Sequence, residues 1–153
     1  MLANDDFYQE FLIALNAHKV RYMIFGGFAV NLYGFTRVTE DLDIWIDPGS
    51  ENLDQLKTAL VSLGFPKEDH LRSFIEGSSI MLRLTDDAFR IDLLTKLNIP
   101  KDFNNAFDAA EVVTVPYGKI YFLGYTDLID KKSRAKRPKD LIDINQLREI
   151  RGE

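Results

Sequence analysis

The sequence contains no cysteine. That excludes disulfide scaffolds, thiolate zinc sites and cysteine nucleophiles. Only two histidines, His18 and His70, are present. A histidine-rich metal centre has too few ligands, and a Ser-His-Asp triad is poorly supplied. No apolar run reaches the roughly 18–20 residues that span a bilayer, and no signal-peptide pattern opens the sequence. The expected setting is therefore cytoplasmic, with no membrane partner. Chemistry is left to carboxylates, hydroxyls, backbone amides and basic side chains.

What is present is 153 residues of globular composition, 46% hydrophobic and 28% charged. This length supports one domain with one sizeable core. The expected organisation is a core over about residues 20–124 and closing helices over about 125–150. The net charge of −5 is unevenly distributed: residues 1–124 carry 11 basic and 18 acidic side chains, residues 125–153 carry 8 and 6. An acidic body with a basic tail suggests carboxylates and anion-binding cations supplied by different segments, or simply a solvated C-terminal helix.

Apolar periodicity predicts a helix from Asn4 to Lys19, capped by Asn4 or Asp5. A buried strand over Tyr22–Phe25 stops at Gly26-Gly27, and a short helix runs from Phe28 to Tyr33, closed by Gly34. Asp41–Asp47 alternates as a strand. Ser50–Leu63 reads as a helix with Ser50 as cap. The segment from Pro66 to Gly77 gives no clear pattern. Ser79–Leu84 and Ala88–Leu94 suit an antiparallel hairpin, followed by a short helix over Asp102–Ala110. Glu111–Val115 and Lys119–Leu123 read as strands. Two helices, Thr126–Ala135 and Pro138–Ile150, close the chain. The expected class is α/β (α+β), a mixed sheet flanked by helices.

Three aspartates stand out. Asp41 and Asp43 leave one face of a strand, with Cα atoms roughly 6.5–7 Å apart, and Trp45 shares that face. Two like charges so placed repel, and a divalent cation between them reverses the sign. Asp92 lies inside an otherwise apolar strand, where an aspartate needs a reason. If the hairpin lies beside the Asp41–Asp47 strand, all three carboxylates converge. An oxygen-only donor set favours Mg²⁺ or Mn²⁺ over zinc. Gly26-Gly27, between strand and helix, allows close backbone approach to a phosphate.

The stretch from Phe25-Gly26-Gly27 through Ala29, Gly34 and Arg37-Val38-Thr39 to Asp41-Leu42-Asp43-Ile44 resembles the signature of minimal nucleotidyltransferases of the polymerase-beta-like superfamily. The branch it most resembles is related to abortive-infection toxins. Asp92 and the closing pattern Asp127…Lys132…Arg137-Pro138-Lys139-Asp140…Asp143…Leu147 extend the likeness over most of the chain. The resemblance implies a nucleotidyltransferase fold and transfer of an NMP from an Mg²⁺-NTP to a hydroxyl acceptor. Asp41, Asp43 and Asp92 would then be catalytic and metal-binding, with Asp92 helping to activate the acceptor. Gly26, Gly27, Arg37 and Lys132 would contact the nucleotide. Many relatives have Ser at the position of Gly27, whose hydroxyl can contact phosphate.

Several residues keep two readings. Arg37 can meet a phosphate or pair with Glu40 or another carboxylate, and Thr39 shapes a turn. The run from Lys131 to Lys139 can bind triphosphate, track an RNA backbone such as tRNA, or face solvent. Asp140 and Asp143 are expected to be structural. Tyr117, Tyr121, Phe122 and Tyr125 can stack on a base but read mainly as core. The acceptor can be a tRNA, a protein side chain or a small molecule such as an antibiotic, and a homodimer mate or an antitoxin can be the partner. The competing expectations are a non-catalytic nucleotide-, RNA- or partner-binding module on the same fold, and an interaction subunit of a toxin–antitoxin pair.

Overall fold

The computed structural model describes residues 6–39, 41–65, 69–87 and 89–153. The expected caps Asn4 and Asp5, the residues Glu40 and Pro66, and the predicted strand start at Ala88 lie outside them.

Helix α1 (Asp6–Ala17) buries Tyr8, Phe11, Leu12, Ala14 and Leu15, the stripe that its apolar spacing predicts. Lys19 leaves it with a positive φ of 56°. Strand β1 (Tyr22–Phe25) is buried at all four positions. Helix α2 (Gly27–Leu32) begins one residue earlier than the sequence suggests. Strand β2 spans Leu42–Ile46, and α3 spans Ser50–Ser62. Ser50 is the first residue of α3 and not its cap. Gly49 holds the cap position, its N–H donating 2.9 Å to Asp47 Oδ1.

Within the segment that lacked a sequence pattern, α4 (Asp69–Ile75) places Leu71 and Phe74 in the core. Strands β3 (Met81–Thr85) and β4 (Arg90–Leu94) form the expected antiparallel hairpin. Helix α5 (Phe103–Phe107) is capped by Asp102, which accepts from Asn105 N at 2.9 Å. Strands β5 (Glu111–Val115) and β6 (Gly118–Phe122) precede α6 (Tyr125–Ala135) and α7 (Pro138–Ile150). Among the described residues no helix is long and apolar enough to cross a membrane.

The six strands form one mixed sheet in the order β3-β4-β2-β1-β6-β5. β2 runs antiparallel to β1 and parallel to β4, and β1 runs parallel to β6. The parallel β2–β4 pairing requires a long crossover, which α3, α4 and β3 supply. Leu42, Ile44 and Ile46 are fully buried on one face of β2. Asp43 and Trp45 occupy the other, as the alternation predicts.

Candidate active site

The sheet register assembles the carboxylates. Asp43 lies opposite Asp92 on β4 and opposite Phe25 on β1, so the three side chains share one face. Asp41 precedes Asp43 by two residues and joins that face. Further along β2 the same face becomes core: the Trp45 indole donates 3.2 Å to Thr95 O and meets Phe103 edge-on at 5.4 Å.

Burial, the neighbouring Asp92 and Asp41, in that order, push the Asp43 carboxyl up to about 6, against the opposing pull of Lys131 and Lys139. Asp92, 6% exposed, is gripped by Arg83, its cross-strand partner on β3. Arg83 Nε lies 2.7 Å from Oδ1 and Nη2 3.1 Å from Oδ2. Arg90 Nε lies 3.6 Å from Asp41 Oδ2 and is a buried atom with no hydrogen bond among the described residues.

The glycine turn abuts this row. Gly26 has φ 70° and ψ −149°, and a Cβ there would collide with Asp43 Oδ2. Both the conformation and the space demand glycine. A Cβ on Gly27 would collide with Thr39 Oγ1, lie 2.7 Å from Thr39 Cβ and reach within 3.4 Å of Arg37 Nη1. The serine that many relatives carry at this position therefore has no room beside Thr39. Gly27→Ala is expected to destabilise by about 1–3 kcal/mol through overpacking. Thr39→Gly in the same chain should restore most of that loss in urea melts. Equal losses in the single and double variants would remove Thr39 as the cause.

The basic segment divides by helix phase. Lys131 Nζ lies 5.1 Å from the centroid of Phe25, the strand partner of Asp43. Burial, Lys132 and Arg137 lower its pKa, while Asp43 and Asp140 oppose them. Lys132 is instead buried at 5% exposure, with Nζ 2.9 Å from Asp143 and 3.4 Å from Asp140. Arg37 makes a two-pronged contact with the same Asp143, at 2.8 and 2.9 Å. Arg37 thus takes the carboxylate-pairing option, with a residue 106 positions away. Asp140 and Asp143 are structural, as expected, at 0% and 1% exposure.

The remaining candidates lie apart. Phe122 is core, and Tyr121 contacts the Phe107 and Tyr22 rings. Tyr117 packs partly buried against the core. Tyr125 lies under the Arg151 guanidinium at 3.6 Å. His18 follows α1, and His70 lies on α4. Arg83 and Lys131 were not singled out individually by the sequence. Arg83's signal was its hairpin position opposite Asp92.

The donor set suits a hard divalent cation. It consists of carboxylate oxygens, and the burial and anion crowding that together raise Asp43 are what a bound cation would offset. Asp41 and Asp43 could hold one. Among the described residues, however, no group of three acidic or histidine side chains is disposed to hold a metal ion.

No protein-family model matches the chain, and no curated protein matches it in sequence. Solved structures do match. The chain is similar to a lincosamide antibiotic adenylyltransferase, LnuA, with lincomycin bound (TM-score 0.64, 19% identity, 97% of each chain covered). It is also similar to ANT(2")-Ia in complex with adenylyl-2"-tobramycin (TM-score 0.60, 15% identity, covering 94% of this chain and 86% of that one). A third match is an antigenic nucleotidyltransferase-like protein from Paracoccidioides brasiliensis (TM-score 0.60, 17% identity, covering 95% and 76%). At these identities the likeness is one of fold, and the fold this chain adopts is that of the minimal nucleotidyltransferases.

Proposed function

We propose that the protein is a Mg²⁺- or Mn²⁺-dependent nucleotidyltransferase that moves an NMP from an NTP to a hydroxyl of a small polar molecule. The observation that carries this reading is the Asp43–Asp92 pair, in register on adjacent parallel strands, with Asp43 abutting Gly26. The choice of a small-molecule acceptor is supported by neighbours whose structures contain lincomycin and adenylylated tobramycin.

In this reading Asp41 and Asp43 hold the cation that accompanies the triphosphate. Bound there, the cation supplies charge neutralisation at the phosphates. Gly26 and Gly27 let the backbone approach the triphosphate without side-chain obstruction. Asp92 accepts the proton of the acceptor hydroxyl as its oxygen attacks the α-phosphorus and pyrophosphate leaves. No protein nucleophile is needed, which suits a chain without cysteine. Lys131 takes the triphosphate-neutralising role expected of the basic segment, because Lys132 and Arg37 are engaged with Asp143.

The test is transfer of label from each α-labelled NTP, with Mg²⁺ or Mn²⁺, to lincosamides, aminoglycosides, total tRNA or cell protein. Label on a small molecule supports the reading. Label on tRNA or protein keeps the activity but moves the acceptor to the toxin-type class, with an antitoxin as the expected partner. No transfer and no metal-dependent NTP binding would favour the non-catalytic module, a reading to which the occupied Asp92 gives some support. Lys131→Met is expected to raise the NTP KM roughly 10- to 100-fold, the worth of one charge-assisted contact, with a smaller effect on kcat. Steady-state kinetics with an unchanged KM would remove Lys131 from the triphosphate.

A further inference from the structure

Arg83 and Asp92 face each other in register on β3 and β4, so the sheet itself builds their contact. Nε and Nη2 of one guanidinium take both oxygens of one carboxylate, at 2.7 and 3.1 Å. That planar fork is the preferred geometry for this pair and fixes the orientation of the carboxylate. Arg90 brings a second guanidinium to 3.6 Å from Asp41. Together the two arginines carry the charge of one divalent ion. Asp43 forms no ion pair among the described residues, and burial together with the neighbouring Asp92 and Asp41 raises its carboxyl.

On the nucleotidyltransferase reading above, we infer that Arg83 is a positioning residue that takes the place of a second metal ion at Asp92. The site then works with a single divalent ion, the one that accompanies the triphosphate. A second ion at Asp92 would need the oxygens that Arg83 holds, and it would sit beside a fixed positive charge. Mg²⁺ also demands near-octahedral geometry and tolerates little displacement of its ligands. With the fork in place, Asp92 points its remaining lone pairs at the acceptor hydroxyl. It takes that proton as the new O–P bond forms and the bond to pyrophosphate breaks.

Arg83 lies on edge strand β3 with its side chain 44% exposed, so it can be replaced without opening the core. The experiment counts bound Mn²⁺ by electron paramagnetic resonance of the free ion. The probes are the α,β-methylene analogues of ATP, GTP, CTP and UTP, with circular dichroism melts to verify folding. The wild-type chain is expected to bind one Mn²⁺ with nucleotide. Arg83→Gln should bind two, and Arg83→Gln/Asp92→Asn should return to one. Arg83→Lys keeps the charge and should stay at one. Two ions on the wild type, or one on Arg83→Gln, would overturn the inference while leaving the nucleotidyltransferase reading intact. Absence of nucleotide-dependent Mn²⁺ binding to the wild type would overturn both.

Discussion

Asp43→Asn is expected to abolish nucleotidyl transfer and, in the same protein, to raise stability at neutral pH. The two effects share one cause. Asp43 is held in a partly buried row with Asp92 and Asp41, and burial together with those neighbouring charges pushes its carboxyl up to about 6 from an ordinary value of 3.8. Between those values the native protein keeps a proton that the unfolded chain has released. Stability is therefore greatest below about pH 4 for this group and is lost as pH rises through about 6. The loss at pH 7 is of order 3 kcal/mol. Asparagine removes the charge with little change in shape. In buffer with EDTA, urea melts should show a gain of up to about 3 kcal/mol at pH 7 and almost none at pH 4. Added Mg²⁺ should stabilise the wild type and leave the variant unmoved. Transfer activity should fall by at least about a thousandfold, since a charge placed for the transition state has gone. A site strained for function and relaxed by loss of function is the trade-off expected where like charges are held together. Parallel pH–stability curves for the two proteins would remove the raised Asp43 carboxyl from the account.

Much of this site was legible because strand alternation is simple. A period of two puts Asp41, Asp43 and Trp45 on one face, and the structure places Asp43 and Trp45 where that rule sends them. The position of Asp92 required one further step, the pairing of the hairpin beside β2, which a short two-stranded motif invites. Helix α4 was not legible. Seven residues with apolar positions only at Leu71, Phe74 and Ile75 give too few turns for periodicity to speak. The Arg37–Asp143 pair was also invisible as a pair, since its members are brought together only when α7 docks beside the turn before β2. The phase of α6 is legible in the sequence. Lys132 lies four residues after the buried Leu128, on the core stripe, and Lys131 lies about 100° away. In α7 the same spacing puts Asp140 on the stripe of Ile144, and Asp143 on that of Leu147. Charged residues at core positions of two consecutive helices are a sign of a buried ion network and not of a solvated tail.

That network supports a large stability effect from a single substitution. Asp143→Ala should destabilise the protein by about 3–5 kcal/mol, a large share of the roughly 5–15 kcal/mol that holds a domain of this kind together. Asp143 accepts two hydrogen bonds from Arg37, at 2.8 and 2.9 Å, and lies 2.9 Å from Lys132 Nζ. Arg37 is about a quarter exposed and can turn to water when its partner is removed. Lys132 cannot, because its side chain is 6% exposed and its remaining partner, Asp140, stands at 3.4 Å and is already held by Arg137 at 2.7 Å. The penalty therefore comes from a buried ammonium left short of countercharge. Arg37→Gln should accordingly cost less, about 1–2 kcal/mol. Asp143→Ala/Lys132→Met should recover most of the single-variant loss, since a buried pair replaced by apolar groups is often neutral. Burial alone would raise Asp140, but the hydrogen bonds from Arg137 and the charge of Lys132 hold it below the usual carboxylate range. Its contribution is present above the unfolded value and disappears as pH falls through the depressed native one, so it persists below the usual carboxylate range. Unfolding free energies from urea melts of Asp143→Ala and the wild type that agree to within about half a kcal/mol would show that the charges are solvated after all. The expected shift is six or more times larger, and the double variant separates a broken ion network from a simple packing defect.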